Sequence, residues 1–240
     1  ITPNNGAFEF VADSSSIYSL STTTGQQKGS FDNIPASKPF PLPYYETFEE
    51  YDNPKGWGYL SSYTADIVGV FEIADRSDKK GKCIRQVIGN RPQSWAPEWM
   101  PYTVVGNPDW TDYEVQVDAY IENEGKVGLM GRVAGTGTGF GTKPDGYYMT
   151  LSANGECALY VSTMKERVKA GSLLASGKAA DISPNKWHTL KLIFAGSSIT
   201  GFVDNQQILK ATDTTFLKGT PGLLTGIVSD KKYTTAQFDN

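Results

Sequence analysis

The 240-residue sequence predicts an all-β sandwich. Three observations carry that prediction. Apolar residues recur with period two rather than 3.6. Turn signals punctuate the chain at hairpin spacing. In addition, 25 glycines, 13 prolines and 12% aromatic residues accompany only 20% charged residues, a balance that suits loop-rich β proteins better than helical ones. At this length one large sandwich, or one sandwich plus a piece of another domain, is the expected scale.

Residues 1–30 hold two strand-like pieces, Ala7 to Ala12 and Ile17 to Thr22, too few to bury a core alone. They are expected to complete a sheet that belongs to something else. Residues 31–43 carry Pro35, Pro39, Pro41 and Pro43, which cannot sit inside a hydrogen-bonded ladder, and read as a linker. Beyond it, Tyr113, Val115, Val117, Ala119 and Ile121 alternate with Glu114, Gln116, Asp118 and Tyr120, as a strand with one buried face does. Leu190, Leu192 and Phe194 repeat the rule around Lys191 and Ile193. Shorter strands are expected at 69–74, 83–88, 127–133, 146–152, 157–162, 199–204, 207–210, 222–228 and 235–239. Asn154-Gly155, Ser183-Pro184-Asn185, Asp204-Asn205 and Lys218-Gly219-Thr220-Pro221 supply turns. Only 163–170 has helical character, and it is too short to change the class.

With 22 basic against 26 acidic residues and a net charge of -4, the chain lacks the positive footprint that phosphate backbones require, so no nucleic-acid partner is expected. It contains no run of about 18 apolar residues, hence no expected transmembrane segment. Ile1 to Ala7 has neither the charged nor the apolar region of an export signal; any such signal is expected to have been removed, and the location to be extracytoplasmic. Cys83 and Cys157 are too few for a disulfide framework and lack histidine partners for a metal site. They either pair across strands or stand as two buried thiols.

A series of short stretches resembles the galactocerebrosidase family of glycoside hydrolases, in order and spacing. They are Thr22-Thr23-Thr24-Gly25-Gln26-Gln27-Lys28-Gly29-Ser30, Pro39-Phe40-Pro41 leading to Phe48, Gly69-Val70-Phe71-Glu72, Arg85-Gln86-Val87, Arg91-Pro92-Gln93-Ser94-Trp95, Asp109-Trp110-Thr111-Asp112, Gly131-Arg132-Val133 and Gln237-Phe238-Asp239-Asn240. The resemblance implies a catalytic (β/α)₈ barrel followed by a β-sandwich and then a lectin-like domain. Residues 1–36 would then be terminal strands of the preceding sandwich plus linker. Residues 37–240 would form a concanavalin-A/laminin-G-like jelly roll. The barrel and its catalytic glutamates have no counterpart in this sequence. Because the chain stops one residue after Asp239, where the family's final strand would continue, it is expected to be a portion of a longer protein.

The resemblance also implies site residues. Trp95 matches the tryptophan that the lectin-like domain contributes to the galactose pocket of the neighbouring barrel, where an indole packs against the apolar face of a pyranose. Asp239 matches an aspartate that helps hold a structural calcium, and the remaining ligands fall on Thr47, Glu49 and the carbonyl of Lys82. The family pattern has an aspartate where Thr47 stands and an asparagine where Glu49 stands. One carboxylate has thus moved two residues along a strand and kept its face.

Other candidates come from the residues alone. Arg132, Tyr147, Tyr148 and Tyr160 would form a sugar-binding surface if they shared one sheet face; the blander reading, which we favour, ties Arg132 to Asp118 or Asp112. Trp57 and Trp99 are weaker sugar-stacking candidates, and Trp110 and Trp187, each just before a strand, read as core packing. His188 is the single histidine, has no serine elbow to serve, and reads as structural. Gly135 to Gly141 lacks the Lys-Ser/Thr ending of a phosphate loop and reads as a hairpin loop. The acidic groups Glu46, Glu49 and Glu50, and Glu122 and Glu124, read as solvated faces rather than a glycosidase pair.

The expected function is therefore the non-catalytic, lectin-like carbohydrate-recognition portion of a galactosidase-like glycoside hydrolase. Its expected partners are a β-galactoside or related glycan and a catalytic barrel on the same protein or a partner chain. The alternatives are a free-standing carbohydrate-binding module and a laminin-G-like adhesion domain.

Overall fold

The computed structural model describes residues 2–18, 20, 36–51, 60–90, 100–135, 144–163, 171–229 and 231–240. The chain separates into two units, 1–39 and 40–240. In the first, Asn4 and Ala7 form an isolated bridge, and the strand expected from Ala7 to Ala12 does not continue beyond it. Phe8, Phe10 and Tyr18 pack on one another, with ring centroids 6.4 and 5.1 Å apart. Each remains 43% exposed, as apolar residues with no core of their own must be.

The second unit is built from strands in chain order. They are β1 (Thr64–Val68), β2 (Phe71–Asp75), β3 (Lys82–Gln86), β4 (Tyr102–Val105), β5 (Tyr113–Ile121), β6 (Lys126–Gly135), β7 (Asp145–Ser152) and β8 (Glu156–Ser162). Then come β9 (Ser172–Lys178), β10 (Trp187–Ala195), β11 (Ser198–Val203), β12 (Gln206–Thr212), β13 (Thr220–Thr225), β14 (Ile227–Ser229), β15 (Lys232–Tyr233) and β16 (Ala236–Asp239). Two seven-stranded antiparallel sheets result, ordered β1-β4-β13-β6-β7-β8-β9 and β12-β11-β10-β5-β16-β3-β2, with β14 and β15 as a separate hairpin. The described residues contain no helix, and the helical stretch expected at 163–170 lies outside them from residue 164 onward.

The expected run at 222–228 is broken. At Gly226 the chain leaves β13, the Gly226 N–H donating to the Lys126 carbonyl at 2.8 Å, and β14 turns to pair with β15. A Cβ at Gly226 would press on the Lys126 side chain, so glycine permits the exit. Asn154-Gly155 turns as expected, with Gly155 at φ 85°, a left-handed conformation that glycine adopts freely.

Alternation explains the core. In β10, His188, Leu190, Leu192 and Phe194 are buried while the residues between them are half-buried. Leu190, Leu192 and Phe194 join Val117, Ala119 and Ile121 of β5, Ile84 of β3 and Phe238 of β16 in one cluster with Val127 and Leu129 of β6, Tyr147, Met149 and Leu151 of β7 and Leu159 of β8. Burying each large apolar side chain is worth about 1.5–3 kcal/mol. Gly131 belongs to the same packing, since a Cβ there would collide with the Phe194 ring. A second cluster, comprising Tyr102, Val104, Met130, Val133, Tyr148 and Leu224, occupies the opposite face of the first sheet. Hence β6 and β7 read as continuous apolar runs rather than alternating ones.

Cys83 and Cys157 are free and buried, in different sheets. The cross-strand pairing left open by the sequence does not form. Burial pushes their thiols up to about 12 and about 11 and leaves them unreactive. The two sheets packed over one main core form the jelly-roll β-sandwich expected from the sequence.

Candidate functional site

Trp95, Trp57 and Trp99, and residues 136–143 of the glycine-rich loop, lie outside the described residues. Among the other candidates, Tyr148 lies on the outer face of the first sheet. Its ring stacks on Tyr160, with centroids 5.0 Å apart and planes 19° off parallel. Its hydroxyl accepts the Gly171 N–H at 3.2 Å. Burial pushes that hydroxyl up to about 12. Tyr148 is only 3% exposed, so its face is closed by packing while the half-buried Tyr160 edges toward solvent.

Arg132 does not share that face. It sits in an irregularity of β6 with φ 47° and is 1% exposed. Its guanidinium lies 5.0 Å over the Phe194 ring. Nε donates to the Thr111 carbonyl at 2.9 Å, Nη1 to the Phe216 carbonyl at 3.2 Å, and Nη2 to the Gly196 carbonyl at 2.8 Å and to Asp112 at 3.1 Å. With these donors committed, the sugar-facing expectation for Arg132 gives way to its alternative, the tie to Asp112. Asp118 instead accepts the Thr189 hydroxyl at 2.6 Å. Tyr147 points into the main core, its hydroxyl donating to Asp213 at 2.6 Å and accepting the Phe216 N–H at 3.1 Å. The four residues weighed as one surface thus separate across two faces: alternation turns Tyr147 away from Tyr148, and the irregularity of β6 takes Arg132 off the face that Met130 shares with Tyr148.

The candidate metal ligands fare differently. Glu49 Oε1 accepts the Lys82 N–H at 2.7 Å, where β3 begins. Buried Asp239 accepts the Asn240 N–H through Oδ1 at 3.0 Å. Its other oxygen receives Nη1 of Arg76 in an ion pair. Arg76 in turn forks onto Asp78, with Nε and Nη2 bonds of 3.0 and 2.9 Å. Burial raises the Asp239 carboxyl above its ordinary value, with Arg76 opposing and Glu49 adding to the rise. Thr47 is exposed. A structural calcium takes six to eight oxygens, yet an arginine already holds one oxygen of the buried carboxylate. The described residues also present no group of three acidic, histidine or cysteine side chains arranged for a metal. Thr47, Glu49, Lys82 and Asp239 therefore do not fit the ion.

Sequence reasoning missed Arg76 and Gln237. Gln237 Oε1 accepts the Ser77 N–H at 2.9 Å, and its amide donates to the Ser77 hydroxyl and to Glu122 at 2.5 Å. Arg85 forks onto Glu122 with two 2.7 Å bonds. Burial works to raise the Glu122 carboxyl, but Arg85 and Gln237 outweigh it and hold it below its ordinary value. Glu122 is thus a bound carboxylate, not a solvated one. Trp187 stands on the outer side of β10, between the Arg76 guanidinium 4.2 Å from its ring and Tyr120 at 5.3 Å. Trp110 packs against Phe40 and Tyr113 at 5.4 and 6.1 Å, as a structural tryptophan should. His188 is also structural: Nδ1 meets Asp204 at 2.8 Å and Nε2 accepts the Ser183 N–H at 3.5 Å.

Comparison with known proteins agrees with this architecture. A carbohydrate-binding module, CBM66 from Bacillus subtilis, superposes with a TM-score of 0.52 at 20% identity, covering 76% of this chain and 96% of that one. A family 16 endo-glucanase from Bacteroides ovatus superposes with a TM-score of 0.50 at 10% identity, covering 82% and 97%. These likenesses concern the fold alone. By sequence, the galactocerebrosidase of Mus musculus is 29% identical over 98% of this chain and 33% of its own length. That of Homo sapiens is 26% identical over 99% and 33%, and that of Danio rerio 31% identical over 84% and 31%. The chain spans about a third of the length of these relatives. Residues 66–240 match the model of the galactocerebrosidase C-terminal lectin domain, and the chain belongs to that family.

Proposed function

We propose that this chain is the non-catalytic carbohydrate-recognition part of a β-galactoside hydrolase. In this reading Trp95 forms part of the galactose pocket of a catalytic barrel carried elsewhere on the same protein or on a partner chain. The observation that carries it is membership of a lectin-domain family across residues 66–240. Residues 1–36 would close a preceding sandwich, residues 37–240 would form the lectin-like domain, and the location would be extracytoplasmic. The chemistry of the described side chains is compatible with a non-catalytic role. His188 is tied to Asp204, Glu122 to Arg85, and Glu46 accepts the Tyr44 hydroxyl and the Phe48 N–H at 2.9 Å each. None of these stands beside a free partner as general acid–base chemistry requires.

An indole against the C–H face of galactose contributes to binding in the way buried aromatic anchors do. In the polypeptide that joins this chain to the barrel, Trp95→Ala should therefore raise KM for a short β-galactoside about ten-fold or more, and Trp95→Phe should raise it less. The 240-residue chain alone should give no heat on calorimetric titration with galactose or short galactosides. An unchanged KM would sink the pocket role. Binding heat from the chain alone would favour a free-standing carbohydrate-binding module.

A further inference from the structure

We infer that Arg76 is the resident cation of the strand junction around Asp239, and that its guanidinium stands where a divalent metal ion would otherwise be needed. A structural ion serves a place where loops and chain ends converge, by drawing oxygens from separate segments onto one charge. Arg76 does the same here. It stands at the end of β2 and forks onto Asp78 in the following turn at 3.0 and 2.9 Å, pairs with Asp239 of β16, and lies 4.2 Å over Trp187 of β10. Three segments distant in sequence thus meet on one side chain.

The arrangement is built rather than incidental. The Arg76 side chain is 15% exposed and that of Asp239 4%. The neighbouring Ser77 is pinned through its N–H to Gln237, two residues before Asp239 on the same strand. The turn is therefore fastened at consecutive residues to alternate residues of β16. A planar guanidinium suits this job, since it stacks on an aromatic ring, forks onto a carboxylate and stays charged at any working pH. The remaining oxygen donors are engaged or exposed: Asp239 Oδ1 accepts the Asn240 N–H, Glu49 Oε1 accepts the Lys82 N–H, and Thr47 stands in solvent. A calcium ion would have to displace a fixed cation to reach Asp239.

Thermal unfolding of the 240-residue chain, run in chelator and in millimolar calcium, tests this without any substitution. The two transitions should superimpose, and calorimetry should show no saturable calcium binding. Arg76→Gln should lower the midpoint by roughly 5–15 °C in chelator. Because it leaves Asp239 and Asp78 without their cation, calcium should then raise the midpoint of this variant. Arg76→Lys keeps the charge but loses the fork and the stack, and should fall between. A saturable calcium-induced rise in the unsubstituted protein would overturn the inference. So would an Arg76→Gln protein that is as stable as the parent, or one that is indifferent to calcium. Should Arg76→Gln fail to fold, Arg76→Lys and the calcium arm on the unsubstituted chain decide the question.

Discussion

The two sheets of the sandwich cover parts of their outer faces by opposite means. On the first sheet Tyr102, Met130, Tyr148 and Leu224 are all at most 3% exposed, and apolar contact closes the face. On the second, where β16 lies between β3 and β5, buried Gln237 and Asp239 are matched bond for bond by Ser77, Glu122 and Arg76. Apolar packing stabilises in proportion to area and tolerates changes that conserve shape. A buried polar network contributes less per contact but admits one arrangement, since each unpaired member is costly. The first face therefore supplies stability, and the second specifies where the β2–β3 turn and the last strand must lie.

The largest expected effect that separates the two is at Tyr148. Tyr148→Ala should cost about 3–5 kcal/mol in denaturant unfolding, the usual price of removing a buried aromatic ring. Tyr148→Phe, which keeps the ring stacked on Tyr160 and loses only the bond from Gly171, should cost about 1 kcal/mol. If the two substitutions cost the same, the hydroxyl rather than the ring closes this face, and the contrast between the sheets collapses.

The same contrast explains how much was legible in the sequence. Strands with one buried face announce themselves, and β5 and β10 lie where Val117, Ala119, Leu190 and Leu192 alternate. Edge strands do not. β1 and β9 close the two ends of the first sheet, and with few buried side chains Thr64–Val68 and Ser172–Lys178 show no period-two signal. The second cluster was hidden for the opposite reason, because β6 and β7 are buried on both faces and their alternation vanishes. For the candidate site, one of the two ties weighed for Arg132, that to Asp112, was the one formed. The partnership of Arg76 with Asp239 joins residues 163 positions apart, a contact that no local spacing encodes. Its only sequence trace is an arginine between the strands expected at 69–74 and 83–88.

Within the polar network the next effect is smaller and depends on pH. Glu122 is held below its ordinary carboxyl value of 4.5 by Arg85 and Gln237 against the opposing effect of burial. Its contribution is thus fully present above pH 4.5 and is lost as pH falls through its lower folded value. Glu122→Gln should cost about 1–2 kcal/mol at neutral pH, tempered because the Arg85 side chain is 37% exposed and hydrated. On acidification below pH 4.5 the unfolding curves of variant and parent should converge. A gap that stays constant down to pH 3 would mean that the Glu122 charge is not what fastens the network.

The smallest effect belongs to a charge pair outside both faces. Lys218 Nζ meets Asp109 at 2.7 Å, a shorter distance than many buried contacts, but their side chains are 62% and 72% exposed. Water screens such a pair and two long side chains must be ordered to make it, so distance alone overstates it. Lys218→Ala should change unfolding free energy by about 0.5 kcal/mol or less, and any change should shrink as salt is added. A loss comparable to that of Glu122→Gln would mean that burial does not decide which ion pairs matter here, and the distinction between a buried polar network and ordinary surface charge would fail with it.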